Sequence, residues 1–344
     1  MNDHAPPRTE EQLEERLSRP SPADVELLGR LEGDVVVLGA GGKMGPSLAR
    51  RVRRAAEASG RPRRVAAVAR FSDPAVARGL EAAGVATIAC DLLDPGQVAR
   101  LPAFENVLFL AGMKFGSSDR PDLVWALNTV VPANVVRRYS ASRTVVFSTG
   151  NVYPPVPPRT GGCREDDPTG PVGEYAQSCL GRERVFEHFS RELGTPVVLF
   201  RLFYAVDLRY GVLVDVARKV WAGEPIDLTV GHVNVIWQGD ANSRALRSLA
   251  LAASPPVALN VTGPEVLSVR AVAERFGRRF GREPRFAGAE GEAALLGDAS
   301  RCRERLGEAE VPFDTLFEWC AGWVEAGGRS LGKPTMYERA DGRF

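Results

Sequence analysis

The chain has 344 residues, 44% of them hydrophobic and 25% charged, with a formal net charge of +1. This size allows one large domain or two smaller ones, and the composition is that of a soluble globular protein. The balanced charge excludes a nucleic-acid footprint, which needs a clustered basic excess.

Lysine is confined to Lys43, Lys114, Lys219 and Lys333, and arginine carries most of the positive charge. The five cysteines, Cys90, Cys163, Cys179, Cys302 and Cys320, form no C-x-x-C pair. That spacing argues against a disulfide framework and for a reducing compartment. The N-terminal "MNDHAPPRTEEQLEERLSRP" lacks the apolar core of a signal peptide, and no apolar run reaches the length of a membrane span, so a cytoplasmic protein is expected.

In chain order, residues 1–9 read as disordered. Residues 10–18 and 22–31 read as short helices of an N-terminal extension covering 1–32, the second opened by Ser21-Pro22. From residue 34 short β-rich runs alternate with helical stretches. The runs are "DVVVLGA", "RVAAVAR", "VATIACDL", "ENVLFLAG", "RTVVFSTG" and "PVVLFRLF". Near-continuous apolar strands alternating with helices predict an α/β fold, a doubly wound parallel sheet of the Rossmann kind, over 33–205. Residues 206–344 are expected to form a smaller substrate-binding lobe, with about 231–262 returning to the sheet domain. Helices are predicted at 211–223 and 312–326, "LNVTGPEVLSVRAVAERFGRRFG" reads as a strand, a turn and then a helix, and the tail "GKPTMYERADGRF" has no periodicity.

The loop "VLGAGGKMGPSLA" joins the first strand to the first helix of this region. Gly39, Gly42 and Gly45 allow a tight turn in which backbone N–H groups approach a pyrophosphate, with Lys43 and Met44 in the same loop. The spacing is G-x-x-G-x-x-G, in the strand-to-helix context that supports dinucleotide binding. Arg70, after the second strand, fits the extra phosphate of NADP, so NADP is placed before NAD. Asp91 and Leu92, after the third strand, are placed to meet the adenine.

With these motifs in order, the sequence resembles the extended short-chain dehydrogenase/reductase family, the nucleotide-sugar epimerases and dehydratases. The similarity covers roughly 33–325. It includes "DLLD", "LAGMKFG" with Ala111 and Gly112, Asn128 at the start of "NTVVPANV", "FSTGNVY" and "REDDPTGPVGEYAQS". The resemblance implies that Tyr175 exchanges a proton as hydride moves to or from the nicotinamide. It implies that Thr149 bonds the substrate oxygen, and that members often pair as homodimers.

The pattern breaks four residues after Tyr175, where the family's Lys is Cys179. A Lys there lowers the tyrosine pKa by its charge, which a neutral thiol does not supply. Lys114 or Arg182 could substitute. A reductive reaction could need less help, the chemistry could be lost, or Cys179 could act as a nucleophile. After the sixth strand "RLFYAVDLRYG" keeps Arg201 but replaces other substrate-side positions, while Arg209 and Tyr210 could meet a hydroxylated or anionic substrate. Asp240 reads as a helix cap. His4, His188 and His232 show no ligand spacing, so no metal is expected. The expected function is an NAD(P)-dependent oxidoreductase or epimerase acting on a sugar-like or hydroxylated carbonyl compound. The alternative is a catalytically silent NADP-binding regulator or scaffold.

Overall fold

The structure, a computed structural model, describes residues 5–114, 116–333, 335–339, 341 and 342. Six strands, β1 (Val35–Leu38), β2 (Val65–Ala69), β3 (Ala86–Ala89), β4 (Asn106–Phe109), β5 (Arg143–Thr149) and β6 (Val197–Leu202), join the strand Val257–Val261 in one sheet. Their order is Val257–Val261, β6, β5, β4, β1, β2, β3, and every pairing is parallel. The chain starts at the centre, runs out to β3, then returns to the other side of β1.

Alternate residues of each strand enter opposite cores. Val35, Val37, Ala67, Leu108 and Val145 join one cluster, while Val36, Leu38, Val68, Val107 and Val146 join the other. Burial on both faces explains why the strands read as continuous apolar runs rather than alternating ones. A third core, around Val212, Ile226, Phe276, Phe317 and Trp319, holds the C-terminal lobe together. Its helices Val212–Ala222 and Val269–Phe280 both end at a left-handed glycine, Gly223 and Gly281. Residues 235–261 return from this lobe. The helix Gln238–Arg247 packs on helix α3 (Gly45–Ala58), and Val257–Val261 adds the edge strand.

The N-terminal extension is integrated. Helices α1 (Glu10–Ser18) and α2 (Pro22–Arg30) lie against α3. Leu13 and Leu17 of α1 are fully buried in the lobe's core. Glu14 pairs with both Arg50 of α3 and Arg209 of the lobe, at 2.8 Å each. In residues 5–9, where disorder was expected, Thr9 caps α1 and the Ala5 carbonyl accepts from Arg16 at 3.0 Å. Residues 1–4 lie outside the described residues. Among the described residues no helix is long and apolar enough to cross a membrane.

Candidate active site

The site begins at the reversal point between β1 and β4, where the carboxyl ends of adjacent strands leave a crevice. Gly39 ends β1 with φ +84°, and a Cβ there would lie 2.5 Å from the backbone N of Ala111 beyond β4. Gly45 opens α3, and its Cβ would lie 2.5 Å from the Ala40 carbonyl oxygen. Both glycines are therefore required by close backbone approach. Gly41 and Gly42 are exposed on the wall of a groove that continues past Arg70, Asp91 and Leu92 to Ala111 and Gly112. The positive end of a 14-residue helix faces this loop, so a dinucleotide pyrophosphate fits the cradle.

Two loop residues turn elsewhere. Met44 packs against the main core. Lys43 holds its Nζ 4.0 Å from the Tyr210 ring centre and 3.5 Å from the Ala205 carbonyl, and burial lowers its pKa to about 8. Neither side chain lines the groove. Asp73, which the sequence reading passed over, lines it beside Arg70 while capping the helix Pro74–Glu81.

Tyr175 enters from the helix Gly173–Leu193, and Thr149 from the end of β5. The Tyr175 hydroxyl hydrogen-bonds Thr149 and Cys179. Burial is the largest influence on this phenol and drives its pKa far above the ordinary range, with Arg182 opposing. The Thr149 hydroxyl donates to Asn151 Oδ1 at 3.0 Å, and the Asn151 N–H returns a 3.2 Å bond to Thr149 Oγ1. Asn151 was missed in the sequence, although an Asn two residues after a Thr is a common local hydrogen-bond pattern.

Lys114 lies across the site with its Nζ 5.9 Å from the Tyr175 ring centre. Burial lowers its pKa to about 8. Cys179 is fully buried in a small cluster with Val152, Tyr153, Cys163 and Phe203. Burial raises its thiol pKa, so it is a neutral packed side chain at neutral pH, which disfavours the nucleophile alternative.

Arg182, two turns beyond Tyr175, is drawn into the interior. It donates to the Phe147 carbonyl at 2.6 Å and to Asn128 Oδ1. Asn128 sits in a π-helical turn, Ala126–Val130, and also donates to Ser178 Oγ at 2.9 Å. Such turns in helices recur at functional sites. This network lies directly behind the groove: a Cβ on Gly112 would lie 2.1 Å from Arg182 Nη2.

Behind Tyr153 lies a buried ion pair. Arg201 pairs with Glu183 at 2.8 Å and also bonds the Tyr153 hydroxyl and the Glu165 carbonyl. Arg209 is bound to Asp207 at 2.7 Å and to Glu14, so it braces the lobe rather than lining the cavity beside Tyr175. Tyr210 lies under Lys43. Asp240 is in the first turn of its helix, where its Oδ2 accepts the Val311 N–H at 3.0 Å. His188 packs edge-on against Phe189, and His4 lies outside the described residues. Among the described residues no group of three or more His, Cys, Asp or Glu is placed to hold a metal ion.

Comparison with known proteins agrees with this arrangement. The sequence model described as the NAD dependent epimerase/dehydratase family matches residues 35–228. No curated protein sequence matches the chain. Among solved structures, the dTDP-glucose 4,6-dehydratase of Streptomyces venezuelae, with NAD and TYD bound, is 18% identical with a TM-score of 0.71, over 85% of this chain and 97% of that one. The UDP-glucose 4-epimerase of Thermus thermophilus, in complex with NAD, is 20% identical with a TM-score of 0.67, over 84% and 97%. Pal from Bacillus thuringiensis is 17% identical with a TM-score of 0.69, over 85% and 99%. Identities this low carry the fold alone, but the family model spans more than half of the chain and its region contains the glycine loop, Thr149 and Tyr175. The chain belongs to the NAD dependent epimerase/dehydratase family.

Proposed function

We propose that the protein is a nicotinamide-dependent oxidoreductase or epimerase acting on a sugar-like or hydroxylated carbonyl substrate, with Tyr175 as the group that moves the proton. The observation that carries this reading is the meeting of Tyr175, Thr149 and the Lys114 ammonium at the carboxyl end of the sheet, beside a groove suited to a dinucleotide. When bound, the nicotinamide supplies or accepts the hydride. The Tyr175 O–H donates its proton to the substrate oxygen as that oxygen gains charge. Thr149, held by Asn151, fixes where the oxygen sits. Lys114 stabilises the phenolate left behind, as the positive charge that the Cys179 position lacks.

A phenol this strongly raised holds its proton at neutral pH, which supports proton donation more than abstraction. Reduction is the favoured direction for a single-step reaction. The family's NAD dependence and Asp73 beside Arg70 support NAD; Arg70 still keeps the phosphate of NADP within reach of the site's chemistry. Trp125 and Val130, exposed next to the Tyr175 helix, support a homodimer through that face.

Denaturing the purified protein and identifying the released nucleotide, then titrating NAD(H) and NADP(H) into the cofactor-free chain, tests the cofactor. Tyr175→Phe is expected to lose about 10²–10⁴-fold in turnover with cofactor binding unchanged. Unchanged turnover would sink the mechanism and leave the second reading, a cofactor-binding regulator. The neutral buried thiol at 179 favours that reading.

A further inference from the structure

Residues Met336, Tyr337, Arg339 and Gly342 of the tail wall a cavity that reaches the Tyr175 site through Lys114, 5.9 Å from the Tyr175 ring centre, and Asn151, which bonds Thr149. The cavity there has a volume of only about 50 Å³. Lys114, Asn151, Tyr153 and Tyr204 contribute its body wall, and Met336, Tyr337, Arg339 and Gly342 its outer wall.

The outer wall is firmly attached. Asp215 Oδ2 accepts both the Thr335 N–H at 3.0 Å and the Thr335 hydroxyl at 2.6 Å. Lys114 Nζ donates to the Thr335 carbonyl at 3.4 Å. The Tyr337 side chain is 1% exposed and belongs to the lobe's core. Gly342 meets the start of the Tyr175 helix so closely that a Cβ on Gly173 would lie 2.4 Å from the Gly342 carbonyl oxygen. Gly173 is two residues from Tyr175, so the tail and the proton donor share one anchor point.

Resting on the redox reading above, we propose that the C-terminal residues 335–339, 341 and 342 are the specificity wall of the site and restrict it to a compact anionic substrate, a short hydroxy or keto acid. Size is the first argument. A water-sized group needs roughly 10–15 Å³ of such space, so the cavity admits only a few such groups. Sites for drug-sized ligands run to about 300–1,000 Å³, and a nucleotide sugar is at least that large. Charge is the second argument. Among the described residues the lining contains two cationic side chains, Lys114 and Arg339, and no carboxylate. Arg339 is exposed, so its guanidinium can swing to a bidentate carboxylate without disturbing the core. Tyr337, which also lines the cavity, has a buried hydroxyl with no hydrogen-bond partner among the described residues.

The test uses the full chain loaded with NAD and titrated calorimetrically with three probes: 2-hydroxybutyrate, its neutral counterpart 1,2-butanediol, and UDP-glucose. The acid is expected to bind at least about tenfold more tightly than the diol, and UDP-glucose is expected not to bind up to about 1 mM. Arg339→Ala, a change at an exposed side chain, is expected to weaken the acid about tenfold and to leave NAD binding unchanged. UDP-glucose binding by the full chain, equal binding of acid and diol, no binding of the acid, or an Arg339→Ala variant that binds the acid as well as wild type would each overturn the proposal. Failure of NAD to load would instead overturn the underlying redox reading, so the two failures are distinguishable.

Discussion

The Lys114 ammonium lies 5.9 Å from the centre of the Tyr175 ring, although one residue follows β4 and the other rides a long helix. On the proposed reading, this ammonium, with the Arg182 guanidinium that also acts on the Tyr175 phenol, stands in for the lysine absent at position 179. Burial holds that ammonium near a pKa of about 8, against 10.5 in water. Its charge is present below pH 8 and lost above it. Lys114→Met is expected to reduce turnover by about ten- to a hundredfold at pH 7 and to remove an alkaline fall centred near 8, measured in a pH–rate profile. The stability consequence has the opposite sign. Between about 8 and 10.5 the unfolded chain keeps a proton that the folded chain has released, so wild-type stability rises with pH there and Lys114→Met loses that rise.

Cys179→Lys restores the family's residue but adds a cation to a pocket already influenced by Arg182 and Lys114. The single variant is expected to lose stability by roughly 1–3 kcal/mol from burying an unpaired charge. Combined with Lys114→Met, it is expected to recover stability and to gain turnover in the oxidative direction at neutral pH. Thermal unfolding and NADH formation report the two effects.

Gly112→Ala brings a methyl group into the Arg182–Asn128 network, whose nearest atoms would be 2.1 and 2.8 Å away. The expected result is at least about tenfold weaker cofactor binding, because the displaced network forms the back of the groove. Fluorescence titration with NADH measures it.

Asp240 is 4% exposed, and burial raises its pKa from 3.8 to about 6. Between those values the folded chain binds more protons than the unfolded one, so this group withdraws stability as pH rises through the window and keeps withdrawing it above 6. Asp240→Asn keeps an acceptor for the Val311 N–H and removes the charge. It is expected to stabilise the protein at pH 7 by on the order of 1–3 kcal/mol and to flatten the profile between about 4 and 6 in denaturant melts.

The sheet was legible because burial on both faces writes itself as Val-rich runs, and all six strands expected from residue 34 onward are present together with Val257–Val261. The glycine loop was legible for a related reason: close backbone approach at Gly39 and Gly45 admits only one residue type. Thr149 and Tyr175 could be read from motifs whose spacing the fold keeps. Contacts between distant segments were not legible. Nothing local in "MKFG" shows where the Lys114 side chain ends, and Arg209 reads as a substrate contact until Asp207 and Glu14 are seen around it. The tail escaped because its order comes from Asp215 and Gly173 rather than from any periodicity of its own.

Helix α1 has one side on α3, which leads from the glycine loop, and the other on the C-terminal lobe. Glu14 grips Arg50 and Arg209 at once, while Leu13 and Leu17 are sunk in the lobe's core. Helix α1 therefore acts as a hinge pin driven through two plates. Separating the plates would require extracting the pin. The relative placement of the glycine-loop helix and the lobe is thus set at a point in the sequence far from either.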